Sequence, residues 1–118
     1  MKLSEIRNLA DKGKRREALS QVDELLARAS ECPYLWNLRG ALILLVETND
    51  GPPPGDAAKS YLRALELNPN DLEALEGLAH FYDTIDPKPD EAKRYAREYL
   101  EKAKTIHIAM ERIIAEQE

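Results

Sequence analysis

The sequence has very few residues of the kinds that cross-link small proteins or bind metals. Its 118 residues include one cysteine, Cys32, and two histidines, His80 and His107. One cysteine excludes an intramolecular disulfide, and the two histidines lack the close helical spacing of a zinc-ligand pair. A chain of this length can bury a core without such cross-links. We therefore expect one domain, residues 1–118, that needs no metal and no cofactor.

Long hydrophobic runs are also lacking. The longest, residues 41–46, has six apolar residues, whereas a helix that spans a bilayer needs about 20. Charges interrupt the N-terminal residues every few positions, so the apolar segment of a signal peptide is missing. Together with the single cysteine, this predicts a cytoplasmic protein that is not bound to a membrane.

Basic residues are scarce in the middle of the chain. The net charge is −5, and residues 66–91 carry one lysine and eight acidic residues, whereas residues 1–30 carry seven basic and five acidic residues. Repulsion from phosphates disfavours nucleic acid as a partner. A basic or amphipathic protein or peptide suits this charge distribution better.

Motifs that carry chemistry are missing as well. Gly13 and Lys14 have no second glycine at the spacing of a phosphate-binding loop, and no dinucleotide-binding glycine motif occurs. The acidic residues between Asp83 and Glu91 lack the glycine and the spacing of a calcium-binding loop. We predict that the protein is not an enzyme and has no catalytic residues and no metal site.

What the sequence does contain is helical periodicity. Apolar residues recur at helical spacing almost throughout, and the alternation typical of strands is absent. Turn-forming segments rich in glycine, proline, asparagine and aspartate divide the chain, and Pro33 and Asp71 are suited to helix starts. The predicted fold class is all-α, with about six helices at residues 2–11, 15–29, 33–48, 56–67, 71–84 and 89–116.

The order of large and small side chains repeats along the chain. With a shift of 39 residues, Trp36 falls on Leu75 and Gly40 on Ala79. If five residues of the proline-glycine loop at 50–55 are an insertion, the underlying period is 34. Such a period, made of helix-turn-helix units, indicates a solenoid in which small residues let helices approach closely and aromatic residues fill the spaces beside them.

This pattern resembles the tetratricopeptide repeat family. The middle unit carries the bulky, small, aromatic and closing proline positions of that family at Trp36, Gly40, Ile43, Ala57, Tyr61, Ala64, Leu65 and Pro69. Arg39 stands where leucine is usual, and the first helix of the first unit matches poorly. The resemblance implies antiparallel helical hairpins, at about 2–29, 33–67 and 71–102, stacked as a short right-handed solenoid.

In this family the first helix of each hairpin lines a concave groove that binds a peptide or a partner helix. The groove side chains that the resemblance implies are Arg7, Tyr34, Asn37, Ala41, Leu44, Leu45, Glu73, Glu76, His80 and Asp83. Leu44 and Leu45 also fit a core role. Some family members hold a peptide carboxylate with basic clamp residues, but Glu73 and Gly77 stand at such positions here, so binding of an acidic C-terminal tail is not expected.

The last predicted helix is about twice as long as a hairpin needs. Its apolar residues recur four and three apart from Ala92 to Ile113, which is a heptad-like stripe. Its distal part, residues 103–116, has two interpretations. It either caps the preceding helices, or it forms a seam with a second copy or a partner helix through Tyr99, Ala103, Ile106, Met110 and Ile113.

The sequence thus predicts a non-catalytic adaptor that binds a peptide or a partner helix in its concave groove. Two alternatives remain open. One is an acidic immunity or inhibitor-type protein that blocks a basic toxin or enzyme. The other is a homodimeric scaffold that associates through its last helix.

Overall fold

The computed structural model describes residues 3–46 and 51–118, and within these ranges the chain forms six α-helices and no β-strand. The predicted all-α class with six helices is confirmed. The helices are α1 (Leu3–Asp11), α2 (Arg15–Arg28), α3 (Pro33–Leu45), α4 (Gly55–Leu67), α5 (Leu72–His80) and α6 (Pro89–Gln117).

Two helix ends differ from the prediction. Helix α3 ends at Leu45 rather than 48, and residues 47–50 lie outside the described ranges. Helix α5 ends at His80 and continues as one π-helical turn, Phe81–Ile85, in which the Asp86 N–H donates to the Phe81 carbonyl at 3.0 Å. This wider turn replaces the last α-helical turn that the apolar spacing predicted, because spacing alone does not distinguish the two hydrogen-bond patterns.

The helix starts follow the local signals in the sequence. Pro33 lies in the first turn of α3, where the missing N–H costs no hydrogen bond. Asp71 caps α5, since its side chain accepts a hydrogen bond from the Ala74 N–H at 3.1 Å. Gly13 joins α1 to α2 with φ of +81°, a conformation that glycine adopts without a steric penalty.

Each helix packs against the next helix along the chain, and α3 also packs against α5. One buried cluster runs through these contacts. Its members with the lowest exposure include Ile6 on α1, Val22 on α2, Leu42 on α3, and Leu75 and Leu78 on α5. The core therefore connects helices that are distant in sequence, and it joins α1 to α5 and the first half of α6 in one packed body.

Tyr61 of α4 lies between α3 and α5. A Cβ atom at Gly40 of α3 would lie 2.9 Å from Tyr61 Cζ, and a Cβ atom at Gly77 of α5 would lie 2.6 Å from the same atom. Real Cβ atoms do not approach other atoms so closely, so only glycine fits at both positions beside this ring. The predicted pairing of small residues with an aromatic side chain is seen here for Gly40, and the structure adds Gly77.

Arg39 joins three helices through polar contacts. Its Nε donates to Asp23 Oδ1 of α2 at 2.8 Å, and one terminal nitrogen donates to Ser60 Oγ of α4 at 2.8 Å. Ser60 is fully buried and donates to the Asp56 carbonyl at 3.0 Å. The arginine thus supplies a second hydrogen bond to this buried hydroxyl, whose oxygen accepts from Arg39 while its proton goes to Asp56.

Only the first half of α6 packs against the other helices. Tyr95 is buried, and Tyr82 stacks on it with 6.0 Å between ring centroids. Beyond Lys102 every large apolar side chain is exposed, by 43–62%: Ile106, Ile108, Met110, Ile113 and Ile114. Of the two interpretations of residues 103–116, the cap over the preceding helices is therefore wrong, and the seam stays a prediction. In the part of the chain that the structure describes, no helix is both long enough and apolar enough to cross a membrane.

Candidate functional site

A groove between α5 and α6 is an open, largely apolar surface that includes predicted site residues. Two adjoining hollows of about 370 and 310 Å³ share Ala79, His80 and Ala96 as lining. We call this surface the α5–α6 groove. Its lining side chains are Glu76, Ala79, His80, Asp83, Ala92, Lys93, Ala96, Tyr99 and Leu100.

Small side chains create the space in this groove. Ala79 of α5 and Ala92 and Ala96 of α6 face each other across the two helices, so the helices come together without filling the surface between them. Tyr99 and Leu100 form one apolar end, and Leu100 is 65% exposed. Such a hollow accepts a large apolar side chain from another molecule.

The edge of the groove is polar and mostly acidic. Glu76 and His80 are exposed and lie one turn apart on α5, with 3.9 Å between His80 Nε2 and Glu76 Oε1. Asp83 follows in the π-helical turn, and Lys93 stands on the α6 side. Of the residues predicted for the acidic end, Glu76, His80 and Asp83 line this groove, whereas Glu73 does not.

Arg7 and Tyr34 form a pair on α1 and α3. Arg7 Nε donates to the Tyr34 hydroxyl at 2.7 Å, and the guanidinium lies 5.4 Å from the centre of the ring. Partial burial and the charges of Asp71 and Glu76 raise the pKa of Glu73, whereas the charge of Arg7 opposes this increase. The positive charge of Arg7 thus partly offsets the effect of the neighbouring carboxylates on Glu73.

Asn37 does not lie on an open surface. It is 2% exposed, and its Nδ2 donates to Asp71 Oδ2 at 2.9 Å. Since Nδ2 must face the carboxylate, its Oδ1 is the atom left buried without a partner. The prediction that Asn37 contacts a ligand in an open groove is wrong for this conformation, because Asn37 ties α3 to the cap of α5 beneath the surface.

The predicted apolar middle of the groove is divided between the core and another surface. Ala41 and Leu44 are half-buried, and Leu44 packs against the core. Leu45 is 50% exposed and lines a hollow with Gly13 and Arg15 at the turn between α1 and α2. These three residues do not line the α5–α6 groove.

Tyr61 is a core residue whose ionisation is affected by acidic residues of α5. The sequence did not indicate this relation. It is 6% exposed. Burial, together with the negative charges of Glu73 and Glu76, raises the pKa of Tyr61 from 10.0 to about 12. The carboxylates of Glu73 and Glu76 on α5 thus make ionisation of the ring between α3 and α5 less favourable.

Raising the pH is expected to remove the stabilising contribution of this tyrosine. Because the folded chain holds the phenol proton more tightly than the unfolded chain does, the contribution is complete below pH 10.0 and is lost as the pH rises to about 12. Urea unfolding between neutral and alkaline pH measures the loss. Tyr61→Phe, which cannot ionise, should decline less steeply over this window, and parallel declines of the two proteins would contradict the assignment.

The sequence did not indicate the α6 side of the groove. Ala92, Lys93, Ala96 and Leu100 were not among the predicted groove residues. The spacing of Ala92 and Ala96, four apart on one helix, was a usable signal for a small-residue face. Which helix this face opposes could not be inferred without the tertiary structure.

Reactive groups do not converge at this site. Within residues 3–46 and 51–118, no group of three or more His, Cys, Asp or Glu side chains is placed to hold a metal ion. The arrangement at the groove offers apolar contact, hydrogen bonds and negative charge.

A scan against protein-family models matched none, and a search of curated proteins found no match.

Proposed function

We propose that this chain is a non-catalytic protein-interaction module that binds an amphipathic segment with basic side chains in the α5–α6 groove. The observation that carries the proposal is the pair of adjoining hollows, lined by alanines and bordered by Glu76 and Asp83. Apolar side chains of the partner occupy the hollows, and its basic side chains meet the acidic edge.

The dimensions of the groove favour a helical or extended peptide. It follows α6 from Ala92 to Leu100, nine residues whose ends lie about 12 Å apart along the helix axis. That length presents about two turns of a partner helix, whose apolar residues at i and i+4 match the two hollows.

The charge around the groove favours a basic partner. Eight acidic residues and one lysine occupy residues 66–91, and these residues include all of α5. Complementary charge raises the association rate and rejects acidic competitors, and salt screens both effects.

The tetratricopeptide-like assignment belongs to this proposal. The structure has six helices near the predicted positions. Each helix packs on the next and α3 packs on α5, which is consistent with stacked hairpins. The single cysteine suits a reducing compartment, and we propose the cytoplasm as the site of function.

Selection from a random peptide library displayed on phage tests the proposed binding. We expect enriched sequences that combine apolar residues at i and i+4 with lysine or arginine. Calorimetric titration of the best-enriched synthetic peptide then compares the wild type with Ala96→Phe, which fills the groove. The affinity of this variant should fall about tenfold or more.

Ala27→Phe is the matched control, because it places the same side chain on an exposed position of α2. Its affinity should stay within about twofold of the wild type. The helical circular dichroism spectrum shows whether each variant is folded. Absence of any enriched sequence, or equal binding by wild type and Ala96→Phe, would reject the α5–α6 groove as the binding site.

A further inference from the structure

The distal part of α6 extends beyond the packed helices. Lys102 Nζ donates to the Pro69 carbonyl in the turn before α5, and the large apolar side chains that follow are exposed. We call residues 103–117 the overhang. At 1.5 Å per residue it is about 22 Å long.

One side of the overhang carries a continuous apolar stripe. Ile106, Met110 and Ile113 follow each other at spacings of four and three, and they are 45%, 50% and 43% exposed. Ala103 continues the stripe toward the packed half of the helix. This is the pattern by which two helices interlock their side chains, and exposed apolar surface of this extent is unusual on a monomer.

The charges along α6 change sign between Lys102 and the end of the helix. The beginning of this segment is basic, with Lys102 and Lys104. The final part is acidic, with Glu111, Glu116 and Glu118 against Arg112. Two copies of this helix placed in opposite directions therefore bring the basic part of each beside the acidic part of the other. Parallel copies would align like charges.

We propose that the overhang pairs antiparallel with the overhang of a second copy of this chain, and that the two helices cross near Ala109 and Met110. This crossing point lies near the middle of residues 103–117. Each overhang then spans the other and ends where the packed helices of its partner begin. The stripes at Ile106, Met110 and Ile113 become the buried seam of the dimer.

In this arrangement Lys102 of one copy lies level with Glu116 of the other. Both residues have interactions within their own chain, but these leave capacity for a partner. The ammonium of Lys102 has three donors, of which the Pro69 carbonyl uses one. Glu116 lies 3.6 Å from Arg112 in an exposed pair, an interaction that contributes little to stability.

Sedimentation equilibrium of the purified full chain tests the pairing. We expect a mass of twice the 13.4 kDa of one chain. Ile106→Glu combined with Met110→Glu should shift the mass to that of one chain over the same concentration range. Ile108→Glu is the matched control, because Ile108 is 54% exposed but lies off the stripe. Its mass should remain that of a dimer.

Charge reversal tests the antiparallel direction. Lys102→Glu should weaken dimerisation about tenfold, and adding Glu116→Lys to the same chain should restore it. In a parallel pair the second change could not compensate for the first. Lys104→Glu, on the opposite side of the helix, should change the dimerisation constant by less than about threefold.

Three results would overturn the proposal: a wild-type monomer at every concentration, a dimer that persists in the Ile106→Glu, Met110→Glu variant, or no recovery with Glu116→Lys. Circular dichroism confirms that each variant retains its helices. Peptide binding by the monomeric variant should be unchanged, so failure of the dimer is distinguishable from failure of the α5–α6 groove.

Discussion

Gly77→Ala is expected to destabilise the fold by about 1–3 kcal/mol, the usual cost of adding atoms to a filled core. Alanine is the better helix former by about 1 kcal/mol, so helix propensity alone predicts the opposite sign. The Cβ atom would lie 2.6 Å from two ring atoms of Tyr61. The ring has little room to move, because Gly40 of α3 also lies close to it. Urea unfolding followed by circular dichroism gives the free energy of unfolding.

Gly55→Ala is the control for this substitution. Gly55 begins α4, and a Cβ atom there would have no neighbour within 4 Å. This variant should be as stable as the wild type or slightly more stable. In a Tyr61→Leu background the penalty of Gly77→Ala should shrink, since the clashing ring is gone. An unchanged penalty in that background would show that the ring is not the cause.

Asp71→Ala is expected to lower the free energy of unfolding by about 2–4 kcal/mol. Loss of a helix cap costs about 0.5–2 kcal/mol. Loss of the acceptor for Asn37 Nδ2 adds about 1–3 kcal/mol, because the amide is buried and its Oδ1 already lacks a partner. The side chain of Asp71 serves both groups, one with each carboxylate oxygen.

Asp71→Asn separates the two contributions. Its side-chain oxygen still accepts from the Ala74 N–H and preserves the cap, while its NH₂ group cannot accept from Asn37 Nδ2 and forms a hydrogen bond only if the Asn37 amide rotates to present Oδ1. The loss of stability should therefore lie between zero and that of Asp71→Ala. In an Asn37→Ala background, most of the loss caused by Asp71→Asn should disappear. Equal stability of the wild type and Asp71→Ala would contradict this account.

The helices were predictable because their signals are local. These signals act within a few residues. They are proline and aspartate at helix starts, glycine between α1 and α2, and the helical spacing of apolar residues. The π-helical turn after His80 was missed for the same reason, since the apolar spacing of residues 81–85 is compatible with both kinds of helix. The overlay at a shift of 39 residues identified Gly40 as a small-residue position, but it did not identify Gly77.

The candidate site was only partly predictable, because exposure depends on neighbours. Asn37 and Glu76 occupy equivalent positions in the overlay, 39 residues apart. Asn37 lies on α3, which has α5 beside it, and is 2% exposed, whereas Glu76 is exposed at the groove. The overlay treats the two positions alike, and only the packed structure shows which one is covered.

By itself the sequence determined an all-α chain of six helices, an acidic middle and an apolar stripe on the last helix, since composition and periodicity are properties of the chain. The tertiary structure alone decided that α5 and α6 leave an open groove at Ala79 and Ala96, and that the stripe at Ile106, Met110 and Ile113 stays exposed. Both facts depend on the position of each helix relative to its neighbours and on how far each helix extends past them. Side-chain periodicity defines the apolar face of a helix, but the three-dimensional packing decides what covers it.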